Sequence, residues 1–232
     1  MIKAVIFDVD NTLYNFTKAH KAAFRALAAY ADERLGLSGE SFERLHRETA
    51  EELRAYMGEV AALHNRCIRY QVMLEKLRLP LYPHVREMEG FYWDTLLKEA
   101  VPSANAKETL RSLKDRGIRI GVGTDMTARM QFRKREMRGM LAYVDFLVSS
   151  EEAGAEKPAL SFFARCVEKA GFGKKECLFV GDSLRKDVLG ALDAGLQAVW
   201  YGPESPAEER EDVLRITDMR PLPEVVSALL RP

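Results

Sequence analysis

From residue 100 onward, short apolar runs alternate with stretches of helical periodicity, a pattern that predicts a parallel sheet with crossover helices. The strand candidates lie at 118–123, 143–149, 177–181 and 197–201. Helical spacing falls at 104–116, 127–139, 159–170 and 184–194, mostly closed by a glycine such as Gly117, Gly171 or Gly195. Near the N-terminus, Ala4-Val5-Ile6-Phe7 reads as one more strand, buried on both faces. These segments predict an α/β fold with a five-stranded, doubly wound parallel sheet, and a short run at 213–216 and a last helix over 223–230 pack against its edge. Residues 16–99 break the alternation, offering no convincing strand and a succession of amphipathic helices. Phe24, Leu27, Ala31 and Leu35 share one helical face; Phe42, Leu45, Thr49, Leu53 and Tyr56 share another; Val85, Met88, Tyr92 and Leu96 share a third. A middle helix is expected over 64–77. The expected organisation is a core domain formed by 1–15 and 100–232, interrupted by an all-helical domain over 16–99.

Composition narrows the function classes. Across 232 residues, 35 basic and 35 acidic side chains cancel, so no global field favours nucleic acid or an anionic membrane surface. No apolar stretch is long enough to span a bilayer, and the N-terminal run is too short for a signal peptide. Cys67, Cys166 and Cys177 lack CxxC or metal-ligand spacing and read as reduced thiols of a cytoplasmic protein. The histidines, His20, His46, His64 and His84, show no ligand spacing and are expected on the surface of the helical domain. Arg129, Arg133, Lys134, Arg135 and Arg138 surround Glu136 without an aromatic platform, which favours a solvated helical face over a nucleic-acid site. The acidic run over 204–212 reads as exposed loop charge.

Candidate chemistry gathers at the ends of the predicted strands, where open α/β sheets bind ligands. Asp8-Val9-Asp10-Asn11-Thr12 follows the first strand, and a bend there brings two carboxylates toward one point, a combination that calls for a cation. Taken alone, the segment equally suits an Asp/Asn turn. Thr124 and Asp125 end the second strand, where a hydroxyl and backbone N–H groups meet as an anion site or as a helix cap. Lys157-Pro158 follows the third strand, with Pro158 suited to a first helical turn. Gly181-Asp182-Ser183 through Asp187 follows the fourth, where Asp182 or Ser183 fits an N-cap and Asp187 a first-turn acid. With the first strand central, the second and fourth flank it and bring Thr124 and Asp182 beside Asp8.

These four segments, in this order, resemble the haloacid dehalogenase-like hydrolase superfamily, in particular its phosphatases with an inserted helical cap, over nearly the whole chain. The resemblance implies a Rossmann-like core, with Asp8 as nucleophile forming an aspartyl-phosphate and Asp10 as general acid and then base. It implies Mg²⁺ bound by Asp8, the main-chain carbonyl of Asp10, and Asp182, with Asp187 steadying that shell or acting through Lys157. Thr124 and Lys157 then hold phosphoryl oxygens, Thr12 orders the loop around the acid/base, and Ser183 belongs to the fourth motif. The dehalogenase branch lacks a carboxylate at the position of Asp10, which favours phosphoryl transfer. Asp125-Met126 stands where the commonest second motif has Asn-Gly, so Asp125 either meets the phosphate or points away and caps the helix that follows.

The reading is a Mg²⁺-dependent hydrolase of small phosphate monoesters, with nucleoside monophosphates or sugar phosphates as the class. Its look is closest to the branch of nucleotidases and acylneuraminate 9-phosphatase. A phosphomutase and a non-catalytic metal- and phosphate-binding regulator on the same scaffold are the rivals. Tyr14, Asn15, Arg66, Arg69 and Tyr70 are weighed as substrate contacts against a solvated face or core edge. The expected partner is a small phosphorylated metabolite, with no nucleic acid and no membrane; monomer and homodimer fit the sequence equally.

Overall fold

The computed structural model describes residues 1–133, 139–202 and 212–229. Lys134, Arg135 and Arg138 of the basic cluster, residues 204–211 of the acidic run and the end of the last predicted helix at residue 230 lie outside the described residues. In chain order the elements are β1 (Ala4–Phe7), α1 (Phe16–Leu35), α2 (Gly39–Met57), α3 (Arg66–Lys76), α4 (His84–Glu99), α5 (Ala106–Asp115), β2 (Arg119–Thr124), α6 (Ala128–Arg133), β3 (Phe146–Ser149), α7 (Ser150–Ala153), α8 (Leu160–Ala170), β4 (Cys177–Gly181), α9 (Gly190–Asp193), β5 (Gln197–Tyr201), β6 (Arg215–Ile216) and α10 (Leu222–Ala228). A 3₁₀ turn, Ala61–His64, precedes α3. The chain forms two compact units, one of residues 1–15 with 101–232 and one of residues 16–100.

In the first unit the strands form one parallel sheet in the order β3-β2-β1-β4-β5-β6. The short run near 215 thus becomes a sixth strand on the edge of the predicted five. β1 lies between β2 and β4 because its four residues are apolar throughout and all are buried, the requirement for a strand covered on both faces. Phe7 pairs with Val122 on one side and Val180 on the other, so Asp8 follows β1 level with Gly123 and Gly181, next to the ends of β2 and β4. On one face, Phe162, Phe163 and Cys166 of α8 pack with Ile6, Val148 and Phe179, and the rings of Phe163 and Phe179 meet edge to face at 5.2 Å. Gly123 keeps β2 close to that layer: a Cβ there would stand 2.9 Å from the Phe179 ring.

The segment over 184–194 departs from the expected regular helix. Leu184–Leu189 forms a π-helical turn before α9. Its cause is local: the Val188 N–H reaches back to the Ser183 carbonyl at 3.3 Å, the Ser183 N–H donates to Asp187 Oδ2 at 2.9 Å, and Ser183 Oγ accepts the Lys186 N–H at 3.2 Å. This reciprocal Ser183–Asp187 ring widens the turn and directs Asp187 inward, where it is 1% exposed. Pro158 lies ahead of α8 rather than in its first turn, joined to Lys157 by a cis bond.

In the helical unit, α1 packs mainly on α4. Ala19, Ala23, Leu27 and Ala31 are buried on α1, and Met88, Tyr92, Trp93 and Leu96 on α4. The alanines permit close approach, and the large rings opposite fill the space. On α2 only Phe42 and Thr49 are buried; Tyr56, expected on the same apolar face, is 89% exposed at the end of the helix. Two histidines also correct the sequence reading. His20 stacks on Phe16 at 5.4 Å and meets the Tyr92 hydroxyl at 2.7 Å, while His46 lies edge-on to Phe24 at 4.8 Å. They are half-buried between helices because an imidazole offers an apolar ring face as well as a polar edge, and periodicity does not say which is used.

Candidate active site

β1 delivers Asp8 to the end of the sheet, buried, with its N–H donating to the Val180 carbonyl at 2.9 Å. The backbone then turns sharply: Leu13 N–H bonds to Val9 O at 2.9 Å, and Asn11 takes the left-handed region that asparagine tolerates. Asp10 follows on this turn and accepts a 2.6 Å hydrogen bond from the Tyr14 hydroxyl at Oδ1. The Thr12 hydroxyl is buried and makes no hydrogen bond, so what ties this residue into the turn is its main chain, through a 3.3 Å bond to Val9 O.

Lys157 lies at the centre. Its Nζ stands 2.6 Å from Asp8 Oδ1, 2.7 Å from Asp187 Oδ1 and 3.4 Å from the Gly123 carbonyl. Its ammonium also lies 5.6 Å from the centre of the Phe179 ring and 5.9 Å from that of Phe162. Burial by itself lowers the Lys157 pKa, but Asp187, Asp8 and Asp125 outweigh it and hold the ammonium charged. Asp8 is also raised, well above its ordinary value: burial lifts it, Lys157 opposes, and Asp187, Asp182 and Asp10 raise it further. Asp182 is lifted to about 6, first by burial and then by Asp187.

Each sequence-predicted residue has a defined place. Asp8, Lys157 and Asp187 are in direct contact, and carboxylate oxygens of Asp8, Asp182 and Asp187 lie within 4.8 Å of one another. Thr124 is buried at the end of β2, its hydroxyl accepting a 3.0 Å bond from Gln131 Nε2. Ser183 caps the π-helical turn. Asp125 holds a loop: its Oδ1 accepts the Lys157 N–H at 2.9 Å and its Oδ2 pairs with Lys186 Nζ at 3.1 Å. The following helix is served by a different group, Glu151, whose carboxylate accepts the Ala128 N–H at 2.8 Å.

A model of the haloacid dehalogenase-like hydrolase family matches residues 2–195. The chain belongs to the haloacid dehalogenase-like hydrolases. Among relatives of this hydrolase, a ribulose-1,5-bisphosphate 5-phosphatase of Halopiger xanaduensis is 35% identical over 217 residues, covering 91% of this chain and 90% of that protein. A glyceraldehyde 3-phosphate phosphatase of Methanothermobacter thermautotrophicus is 30% identical and covers 97% of this chain and 100% of its own. The solved structure of a HAD phosphatase from Thermococcus onnurineus shares the fold, with a TM-score of 0.73 at 23% identity over 97% of this chain and 98% of that one.

The donor set of this hydrolase fits a hard divalent cation. Carboxylate oxygens of Asp8, Asp182 and Asp187 gather around the ammonium of Lys157, and burial first, then the neighbouring carboxylates, raise the pKa values of Asp8 and Asp182, a strain that a bound cation relieves. Sequence reasoning missed four residues that hold the site: Gln131 on Thr124; Lys186 between Asp125 and the buried Glu156; Glu156 itself; and Trp200, whose indole N–H donates to the Asp182 carbonyl at 2.8 Å. Gln131 lies seven positions after Thr124 and Trp200 eighteen after Asp182, so no local pattern marks either. Lys186 stands inside the Gly181–Asp187 segment and is the one that position alone would nominate. Among the described residues, no helix is long and apolar enough to cross a membrane.

Proposed function

We propose that this hydrolase removes phosphate from small phosphorylated metabolites in a Mg²⁺-dependent reaction through an aspartyl-phosphate at Asp8, with sugar phosphates as the first substrate class. The chain is a phosphoric monoester hydrolase. The observation that carries the reading is the buried Asp8 carboxylate held 2.6 Å from Lys157, with a second carboxylate, Asp10, two residues on and oriented separately by Tyr14. That separation suits two roles, a carboxylate that attacks phosphorus and a carboxyl that passes one proton out and back. An Asp8 oxygen forms the new bond to phosphorus as the ester oxygen leaves and takes its proton from Asp10. Asp10 then draws a proton from the water that attacks the aspartyl-phosphate, which releases phosphate and restores Asp8. Lys157 and Thr124 hold the phosphoryl oxygens through the change of charge. Asp8 and Asp182, with the Asp10 main-chain carbonyl, hold Mg²⁺, and Asp187 supports them through Lys157. The bound ion offsets negative charge on the transferring group.

The first-named relatives act on a pentulose bisphosphate and a triose phosphate, which supports sugar phosphates ahead of nucleotides. None of Cys67, Cys166 and Cys177 is in a disulfide, in keeping with action in the reducing cytoplasm. The test is phosphate release with Mg²⁺ from a panel of sugar phosphates, polyol phosphates and nucleoside monophosphates, with Asp8→Asn in parallel. Release by the wild type and background release by Asp8→Asn are expected. Undiminished release by a folded Asp8→Asn protein overturns the mechanism; transfer of phosphate within the substrate, without release, makes the protein a mutase.

A further inference from the structure

The helical unit holds a cationic centre of its own. Arg69 on α3 is half-buried, and its guanidinium reaches only the Leu63 carbonyl at 3.4 Å and His46 Nε2 at 3.5 Å. No carboxylate among the described residues pairs with it, and its Nε is buried without a hydrogen-bond partner. The next residue, Tyr70, has a fully buried hydroxyl that is likewise unpartnered. One turn earlier, Arg66 lies over the Tyr92 ring at 4.7 Å and adds a second guanidinium to the same region. His20 and His46 do not supply compensation, nor do they titrate near neutrality. Burial and then the two arginines push them down, His20 to about 4 and His46 to about 3, and burial with Arg66 next brings Arg69 itself down to about 10.

Room for a ligand exists at this place. Arg69 borders a cavity of about 270 Å³ whose wall also includes the exposed Arg47 and Arg54 of α2 and Glu51; Arg54 is paired with Glu59 at 3.6 Å. A partly buried guanidinium with unused donors and no counter-ion is unfavourable in isolation and becomes favourable when an oxyanion completes it. The planar fork of arginine matches phosphate in two parallel hydrogen bonds.

We propose that the helical unit carries an oxyanion site at Arg69, lined by Arg47 and Arg54, which takes a phosphate group. The chemistry serves either a second phosphate of a doubly phosphorylated substrate or a free phosphorylated effector. Every histidine of the chain, His20, His46, His64 and His84, lies in the helical unit, so their ring resonances report on it alone.

The test is a titration of the full chain, without Mg²⁺, by inorganic phosphate, followed by NMR of the histidine rings. A saturable shift at His46, in contact with Arg69, and its weakening by about tenfold in Arg69→Met are expected, the loss of one charge-assisted contact. Should Arg69→Met fold poorly, Arg47→Gln with Arg54→Gln must weaken the same shift. No saturable response at His46, or one untouched by these substitutions, overturns the proposal. Kinetics then assigns the source. An Arg69→Met variant that raises KM for a sugar bisphosphate about tenfold more than for the monophosphate places the group on the substrate; an unchanged ratio with the His46 response lost places it on an effector. The titration does not depend on turnover, so it stands or falls separately from the phosphatase reading.

Discussion

Lys186→Met is expected to destabilise the protein and slow its chemistry, through a residue that touches neither of the catalytic carboxylates. Lys186 Nζ lies 3.1 Å from Asp125 Oδ2 and 3.5 Å from Glu156 Oε2, and the side chains of Asp125 and Glu156 are only 12% and 3% exposed. Removing the lysine takes one cationic partner from two poorly solvated carboxylates. Stripping one partner from a fully buried pair costs about 3–5 kcal/mol, and because the lysine side chain is 32% exposed, solvent screening reduces the expectation to about 1–3 kcal/mol. For a chain of this size that is a fall in Tm of about 2–12 °C. Asp125 also fixes the Lys157 N–H at 2.9 Å, so disorder at this junction loosens the ammonium that contacts Asp8. A displacement of about 1 Å at such a group costs up to about 10²-fold in kcat. Urea unfolding and steady-state kinetics read both effects, and a cycle with Asp125→Asn isolates the pair. The amide introduced by Asp125→Asn keeps an acceptor for the Lys157 N–H but sheds the charge, so the double variant is expected to be more stable than Lys186→Met alone. A Lys186→Met protein within about 0.5 kcal/mol of wild type, or two substitutions that simply add, refutes the reasoning.

Metal-free protein should lose stability as pH rises through the interval from about 4 to about 6. Asp182 titrates near 6 in the folded state and near an ordinary carboxylate value, about 4, when unfolded, so between these values the folded state holds a proton the unfolded chain has released. The loss is on the order of 2 kcal/mol by pH 7, and urea unfolding at several pH values should show it reduced in Asp182→Asn; equal slopes in the two proteins count against the assignment. Mg²⁺ should raise Tm at pH 7 by more than at pH 5, where protons compete for the same carboxylates; an equal rise at both speaks against the acidic cluster as its site. Gly181→Ala should cost about 1–3 kcal/mol and at least tenfold in kcat, because the new methyl overlaps the carboxylate and Cβ of Asp187; an unimpaired variant with wild-type Tm rejects the inward position of Asp187.

The chain's local patterns settled its architecture. Four-residue apolar runs such as Ala4–Phe7 suit only a strand covered on both faces, and alternation with helical spacing after residue 100 leaves a parallel sheet as the economical arrangement. The order of motifs along the chain also placed Asp8, Thr124 and Asp182 at the ends of β1, β2 and β4 and Lys157 beyond β3 and α7, since in a parallel sheet every strand ends on the same side. Only the tertiary structure decided which of them touch. Lys157 meets Asp8 across 149 positions and Lys186 meets Asp125 across 61, separations at which no periodicity survives. Asp187 reads as an ordinary first-turn acid until the π-helical turn points it inward, a choice made by hydrogen bonds to Ser183 rather than by propensity. His20 and His46 became half-buried between helices, and Arg69 came to border a cavity with no paired carboxylate among the described residues, because packing between helices selects which side of an amphipathic side chain is used. Spacing along one helix records which residues share a face; it holds no record of what that face meets.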